Sequence, residues 1–520
     1  SEIKAIKLKK NDQEFVKLLV DGYGENTKLG YASLPVIEEL LIVPDNSNIS
    51  IQIENIEEEI INLSDYNITQ SLYPFQPSIS KGEDISKVPF YFDNAYYSYK
   101  EFHINKLVET KYLGKMRGQQ LARLLISPFS YNPSNNQLKI VTKIEVKLIF
   151  KNINIENEVN NRKKFYSSEF ENLFKKAINY VPLENLTKDI ITTYPVKYVI
   201  VSDPNFQSAI QPLIEWKTKK GFLVIEAYTN DPLVGNTTNS IRNYIKDMYD
   251  NATPNDPAPT YLLLVGDEAQ VPSFNGNAGS HISDMYYCEF DGGGDFYPEM
   301  YYGRFSGTIS EHIERQVEKT LMHEMYTFPN PSFLEDIVLV AGVDASMAPT
   351  YGNGQINYGT NYYFNAAHNH NVHNYLYGVL APGALFSSDM SGASSAIIND
   401  ISDGTSFANY TAHCGPSGWS DPSFENSDIS GLNNINKFGV MIGNCCQSNK
   451  FDEPVCFGES LLRANKKGAV GYIGGSNNTY WDEDYWWAIG NATNITANPS
   501  YAATGLGVYD CLMHENGEQE

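Results

Sequence analysis

KFGVMIGNCC, residues 437–446, is a compact apolar run that ends abruptly on two adjacent thiols. Short runs of this kind, buried on both faces, mark the strands of a parallel sheet with helices above and below it. The rhythm recurs on both sides of it: KYVIV from Lys197, GFLVIEA from Gly221, TYLLLVGD from Thr260, EDIVLVAGVD from Glu335, SFANYTAH from Ser406 and GAVGYIGG from Gly468. Most are separated by stretches of helical periodicity, which predict helices at Asn205–Lys220, Thr238–Asp250, Ser310–Tyr326 and Glu459–Lys467. From about Lys188 onward the chain therefore reads as a doubly wound α/β region, divided near Pro329–Pro331 into two sheets.

Upstream the pattern differs. EFVKLLV, IEELLIVP, ISIQIENI, QLKIVTK and IEVKLIF are strand-like and separated by Asn, Pro, Gly and Ser clusters, which predicts an all-β sandwich from Ser1 to about Tyr180. Asn161–Asn179, with Arg162, Lys163 and Lys164, reads as a polar helical tether, followed by a linker from Leu183 to Tyr194. The expected division is an N-terminal β-rich domain with its linker over 1–188, an α/β subdomain over 189–331 and a second over 332–520. A chain of 520 residues supports more than one core, since single cores stop growing near about 250–300 residues.

The formal charge of -24 argues against a nucleic-acid partner and suits a cationic one. The first part is roughly neutral, so the excess acid lies downstream, where most of it serves solubility. No apolar run is long enough to span a membrane. The chain opens at Ser1 on a mature-looking stretch, so a signal peptide is expected to have been removed or never present. The six cysteines stand at 288, 414, 445, 446, 456 and 511, a sparse set concentrated in one region rather than a disulfide framework.

In open α/β sheets reactive groups collect where loops leave the carboxyl ends of strands. Three predicted strands end on Asp344, His413 and Cys445-Cys446. A thiol reacts as thiolate, an imidazole can take its proton, and a carboxylate can fix the imidazole tautomer. On spacing alone the reading stays open, because buried cysteines and satisfied histidines are common core residues. A zinc site from His413, Cys414, Cys445 and Cys446 is a further reading, although no ligand pairs show finger-like spacing.

The stretches GTSFANYTAH, WSDP, IGNCCQSNKFD, CFGESLLR, GAVGYIGGSNNTYWDEDYWWAIG, DFYPEMYYGR and INYGTNYYFNAA resemble the catalytic domain of the gingipain family of cysteine peptidases, in its lysine-specific branch, over most of residues 195–510. The resemblance implies a caspase-like α/β catalytic domain of mostly parallel sheets flanked by helices in two subdomains, an inhibitory N-terminal prodomain, and in many members an immunoglobulin-like module after the catalytic domain. It implies secretion or a place on a bacterial cell surface, peptide substrates containing lysine, calcium as the structural cofactor and no organic cofactor. By motif, Cys446 is the nucleophile, His413 the general base and acid, Asp344 the group that orients the imidazole, and Cys445 a pocket-lining neighbour. The oxyanion hole would use the backbone N–H of Cys446 and of Cys414. Here the chain departs from the family, which has Gly after the histidine. A thiol at 414 is expected to crowd the oxyanion site or to pair with Cys446.

A lysine pocket needs an apolar sleeve and an acceptor for a compact ammonium. The resemblance assigns Asp484 to the ammonium, Trp481 to the stem and Thr411 as a hydroxyl acceptor. An arginine pocket and a catalytically silent binding or adhesion relative are the alternatives. The run Asp291 to Glu299, with Asp295 between, is rich in oxygen ligands and glycine, which suits a hard cation as well as a plain surface loop. The resemblance implies calcium on Asp267, Asp291, Asp295, Tyr297 and Glu299, and a second on Phe451 and Glu459. For the inhibitory plug, the Gly-bracketed loop LGKMRGQ suggests Lys115, with Arg117 beside it, entering the Asp484 pocket. Lys188-Asp189 is the expected activation cleavage point.

Overall fold

The structure, a computed structural model, describes residues 2–517 except 104, 184, 186–193, 279–280, 293–294, 379–390 and 493. Lys188, the expected cleavage point, lies outside the described residues. Among those described, no helix is long and apolar enough to cross a membrane.

The N-terminal part is a β-sandwich. Strands β1 (Ile3–Lys10) and β2 (Gln13–Val20) form a hairpin. Strands β3 (Gly24–Glu25), β4 (Pro35–Val43), β6 (Val108–Met116) and β7 (Gln119–Ile126) make one sheet in the order β3-β4-β7-β6, while β5 (Asn48–Asn62), β8 (Phe129–Asn132) and β9 (Gln137–Lys151) make another in the order β5-β9-β8. Alternation along the strands turns Leu41, Val43, Ala122 and Leu124 toward Ile49, Ile51, Val146 and Leu148 of the facing sheet. QLKIVTK and IEVKLIF, read from the sequence as two strands, are contiguous halves of β9.

The expected tether is a correction. It folds into two helices, Ile155–Lys164 and Ser168–Phe174. Phe170 and Phe174, one helical turn apart, are buried against Ile42 and Leu121, so this segment closes the sandwich. Its charged majority masked the apolar pair that decides its position.

The α/β part contains two parallel sheets. In the first, β10 (Lys197–Ser202), β11 (Leu223–Tyr228), β12 (Tyr261–Val265) and β15 (Tyr301–Phe305) lie in the order β11-β10-β12-β15, after a small hairpin of β13 (Phe274–Asn275) and β14 (Ile282–Ser283) between the last two. In the second, β16 (Asp336–Ala341), β17 (Asn371–Tyr375), β18 (Phe407–Thr411), β22 (Gly439–Asn444) and β23 (Ala469–Gly474) lie in the order β17-β16-β18-β22-β23. A small sheet of β19 (Cys414–Gly415), β20 (Gly418–Ser420) and β21 (Ser423–Glu425) leaves the end of β18. Both faces of the second sheet are covered: Val338, Val340, Ala408 and Met441 enter one core, and Ile337, Leu339, Phe407 and Ile442 the other.

Helices form at Gln207–Lys219, Thr238–Asp250, Ser310–Glu324 and Phe457–Arg463, close to the expected spans. Helix Asn353–Tyr362 and edge strand β15 escape the apolar-run criterion. The helix is rich in Asn, Gly and Tyr, and β15 carries exposed Tyr301 and Tyr302.

Candidate active site

Register builds the site. Ala341 pairs with Thr411 and Thr411 with Asn444 across adjacent parallel strands, so β16, β18 and β22 end side by side. Asp344, His413 and Cys446 follow these ends within three residues. His413 Nε2 donates to Asp344 Oδ2 at 3.0 Å, leaving Nδ1 as the ring nitrogen for proton transfer. The backbone N–H groups of Ser346 and Met347 both donate to Asp344 Oδ1 at 2.9 Å. Burial alone would raise the Asp344 pKa, but these donors and His413 outweigh it and hold the carboxyl below its ordinary value. Cys446 is 5% exposed and its sulfur accepts from Thr479 N–H at 3.4 Å. Burial pushes its thiol pKa up, offset in part by that N–H and by the Lys81 ammonium.

Lys81 is the side chain in the pocket. Its Nζ lies 2.7 Å from Asp484 Oδ2 and donates to the Asn444 carbonyl at 2.7 Å and to Thr411 Oγ1 at 3.2 Å. The ammonium sits 4.7 Å from the centre of the Trp481 ring. Three oxygens therefore surround one ammonium, two as hydrogen-bond acceptors and the third as its counter-charge. Beneath it, Gln355 Nε2 donates to Thr411 Oγ1 at 3.1 Å, and Asn444 Nδ2 donates to Gln355 Oε1 at 3.1 Å and to the Asp484 carbonyl at 2.9 Å. Lys81 enters on an extended strap that runs antiparallel to the segment ahead of helix Trp481–Ile489. Lys81 N–H donates to the Thr479 carbonyl at 2.8 Å, Trp481 N–H donates to the Ile79 carbonyl at 3.0 Å, and Ser80 faces Tyr480.

The assignment of Lys115 to this pocket is thus corrected. Lys115 lies in β6, its ammonium 3.2 Å from Asp45 and its N–H donating to Asp295 Oδ2 at 2.8 Å. The Gly-bracketed loop does protrude, but it presents Arg117. Arg117 (φ 50°) and Gly118 (φ 69°) make a two-residue hairpin turn with both central residues left-handed. A Cβ on Gly118 would lie 2.3 Å from Phe165. The buried Arg117 guanidinium donates to the carbonyls of Phe165, Pro259, Glu299, Tyr166 and Ala258, between the rings of Phe170 and Tyr249.

Cys414 is bonded to Cys445, with Cα atoms 5.4 Å apart, and Cys446 remains a thiol. This overturns three expectations. Cys414 does not pair with Cys446, the Cys445 sulfur is committed to the bridge rather than to lining the pocket, and neither cysteine is left as a thiolate for zinc. The reason is directional: β19 pairs Cys414 with Trp419 in an antiparallel turn, and the Cys414 side chain packs on the core that holds Cys445.

The expected cation ligands regroup. Asp267 and Glu459, assigned by resemblance to different ions, both meet the Arg463 guanidinium, at 2.8 and 2.5 Å. The Phe451 ring lies under Arg304, its centre 5.0 Å from the guanidinium carbon. Asp295 accepts from Tyr297 N–H and Lys115 N–H. Glu299 is buried, and desolvation followed by the neighbouring Asp291 carboxyl raises its pKa well above the ordinary value. One Glu299 oxygen accepts from Tyr249 OH at 2.5 Å and from Arg117 N–H, while Oε1 has no hydrogen-bond donor. Among the described residues no three His, Cys, Asp or Glu side chains converge as a metal-ligand group.

Sequence reading missed Lys81, Asn444, Thr479 and Gln355. The available signal for Lys81 was a Lys-Gly step inside PSISKGED, an extended Pro- and Ser-rich stretch with the character of a bound peptide.

A profile described as peptidase family C25 matches residues 191–516, and a C25 propeptide profile matches residues 3–178. Lys-gingipain W83 of Porphyromonas gingivalis is 33% identical over 99% of this chain, which spans 29% of that protein. Gingipain R2 of the same organism is 24% identical over 87% of the chain and 59% of its own length. A solved structure described as "Structure of Protease" is 36% identical, covers 62% of this chain and 68% of its own, and superposes with a TM-score of 0.56.

Proposed function

The chain belongs to peptidase family C25, and on that footing we propose that it is the zymogen of a cysteine endopeptidase that cuts after lysine. The observation that carries this reading is the Lys81 ammonium held by Asp484, Asn444 and Thr411 under Trp481, on a strap laid antiparallel as a substrate would be. A compact ammonium finds two acceptors and a counter-charge there, whereas the longer planar guanidinium of arginine, with five N–H donors, meets a floor already closed by Gln355, Asn444 and Thr411. The greater identity to Lys-gingipain than to gingipain R2 supports the same choice.

In the proposed reaction, His413 Nδ1 takes the proton of Cys446 while Asp344 holds the imidazole by Nε2. The thiolate attacks the carbonyl carbon that follows the lysine. The N–H groups of Cys446 and Cys414 are the candidates to meet the oxyanion. His413 then protonates the leaving amine, and water, deprotonated by the same ring, resolves the thioester. Latency follows from the docked strap. It fills the pocket and desolvates Cys446, whose raised pKa keeps the thiol protonated near neutrality.

Calcium would be held by Asp291 and Glu299, whose buried orphan oxygen and mutual repulsion fit a divalent cation, and its charge would offset that repulsion. Secretion or surface display, and activation after Lys188, complete the reading. The silent-relative alternative rested on crowding by Cys414, and the bridge to Cys445 directs that sulfur elsewhere.

The test is hydrolysis of paired chromogenic peptides with Lys or Arg before the leaving group, by the chain cut in its linker, beside Cys446→Ala. Turnover of the lysyl peptide alone, abolished in the variant, is expected. Turnover of the arginyl peptide, or none with either, would overturn the reading.

A further inference from the structure

Each half of the Cys414–Cys445 disulfide adjoins a residue of the proposed reaction: Cys414 follows His413, and Cys445 precedes Cys446. We propose that this bond is a positioning device, a covalent tie across the ends of β18 and β22 that sets the separation between the His413 imidazole and the Cys446 thiol. The proposal rests on the peptidase reading above.

The backbone explains why a tie is useful. The β18–β22 ladder stops at Thr411 and Asn444, short of both reacting residues. Beyond it the two chains part. Residues after His413 turn into β19 and pair with β20, while the chain after Cys446 passes through Gln447 in a left-handed conformation toward Asn477. Asp344 orients the imidazole ring, and Thr479 N–H holds the thiol, but neither contact spans the gap between the two residues. The disulfide spans it one residue from each. Its Cys445 end is fully buried in the core with Tyr410, Trp419 and Met441, so the tie is anchored to the sheet itself. Proton transfer and attack depend on near-contact geometry, where an error of about 1 Å costs about 100-fold in rate.

The tie also makes the site sensitive to reductant in an unusual sense. A dithiol that opens it donates two electrons and two protons, leaving Cys414 and Cys445 as thiols while the reductant closes to its own disulfide. A reagent added to keep Cys446 reduced therefore also loosens the pair that uses it.

The test uses the full chain carrying Lys81→Ala, which empties the pocket, with and without Cys414→Ala/Cys445→Ala. Turnover of a lysyl peptide, the pH profile of Cys446 alkylation by iodoacetamide and the thermal midpoint are measured together. The expected result is kcat lower by about 10- to 100-fold, KM within about twofold, and loss of the acid inflection that an imidazole-paired thiolate shows. If the double variant does not fold, the parent is titrated with dithiol instead, and the alkylation profile is compared before and after mass spectrometry registers opening of the bridge. A lower melting point with kcat and alkylation profile unchanged would reduce the bond to an ordinary staple and overturn the proposal. A parent that shows neither turnover nor an acid inflection would overturn it together with the peptidase reading.

Discussion

The prodomain inserts two basic side chains into the catalytic domain, and they are held in opposite ways. Lys81 ends on the carboxylate of Asp484, in a pocket with three oxygens around one ammonium. Arg117 ends on five backbone carbonyls, Phe165 and Tyr166 of its own domain and Ala258, Pro259 and Glu299 beside the first sheet, with only its own N–H directed to a carboxylate, Glu299. Both are buried, and burial lowers both pKa values, against Asp484 for Lys81 and against Tyr249 and Glu299 for Arg117. The difference separates occupancy from attachment. A carboxylate-floored pocket can exchange one lysine for another, so in the proposed reading Lys81 holds the place of a substrate. A ring of carbonyls in a folded frame fits one guanidinium on one hairpin, so Arg117 fastens the domain.

The sharpest way to break this comparison is Asp484→Ala. Removing one partner of a buried pair costs about 3–5 kcal/mol, so kcat/KM for lysyl peptides and affinity for the prodomain should fall together, by about two to four orders of magnitude. Separate responses of the two would mean that the strap does not use the substrate's pocket. Arg117→Met should cost about 3 kcal/mol or more in prodomain docking, because several buried carbonyls lose their donor at once. It should leave the choice between lysyl and arginyl peptides untouched, and altered selectivity would count against a purely fastening role. Lys81→Ala should weaken docking by about 2 kcal/mol while raising basal hydrolysis, since the emptied pocket accepts water and then substrate. Lys115→Ala is the smallest change. Its partly exposed pair with Asp45 is worth about 0–1 kcal/mol, and latency should persist in a zymogen-activity assay.

A pH series sharpens the comparison further. In the docked chain burial raises the Cys446 pKa, against the Thr479 N–H and the Lys81 ammonium, so the bound state favours the protonated thiol. That contribution is fully present below the pKa of the free enzyme's thiol and is lost as pH rises through the raised value in the zymogen. Prodomain release from the chain cut in its linker, followed by gel filtration, should therefore accelerate on the alkaline side. Cys446→Ala should remove that dependence.

How much of this could be read from the chain differs from residue to residue. Asp344, His413 and Cys446 were legible because each stands just past an apolar run, and parallel strands deliver their ends to one edge. Helix Thr238–Asp250 was legible to the residue, since its threonine cap and regular apolar spacing are local signals. The tether was misread because two phenylalanines outweighed a charged majority. Lys81 was hidden for a related reason. Both Lys81 and Lys115 are single lysines next to a glycine, the extended character of PSISKGED is a weak signal, and only the path of the strap selects one of them.

By itself, then, the sequence determined which residue types stand at the strand ends, where β gives way to α/β, and which family the chain resembles, because periodicity and motif are written within a few consecutive residues. The tertiary structure alone decided that Lys81 enters the pocket, that Cys414 bonds to Cys445 and leaves Cys446 a thiol, and that Asp267 and Glu459 share Arg463. Each of those outcomes is a meeting of side chains that are distant in sequence or directed by a turn, and such meetings are settled by packing and direction rather than by spacing.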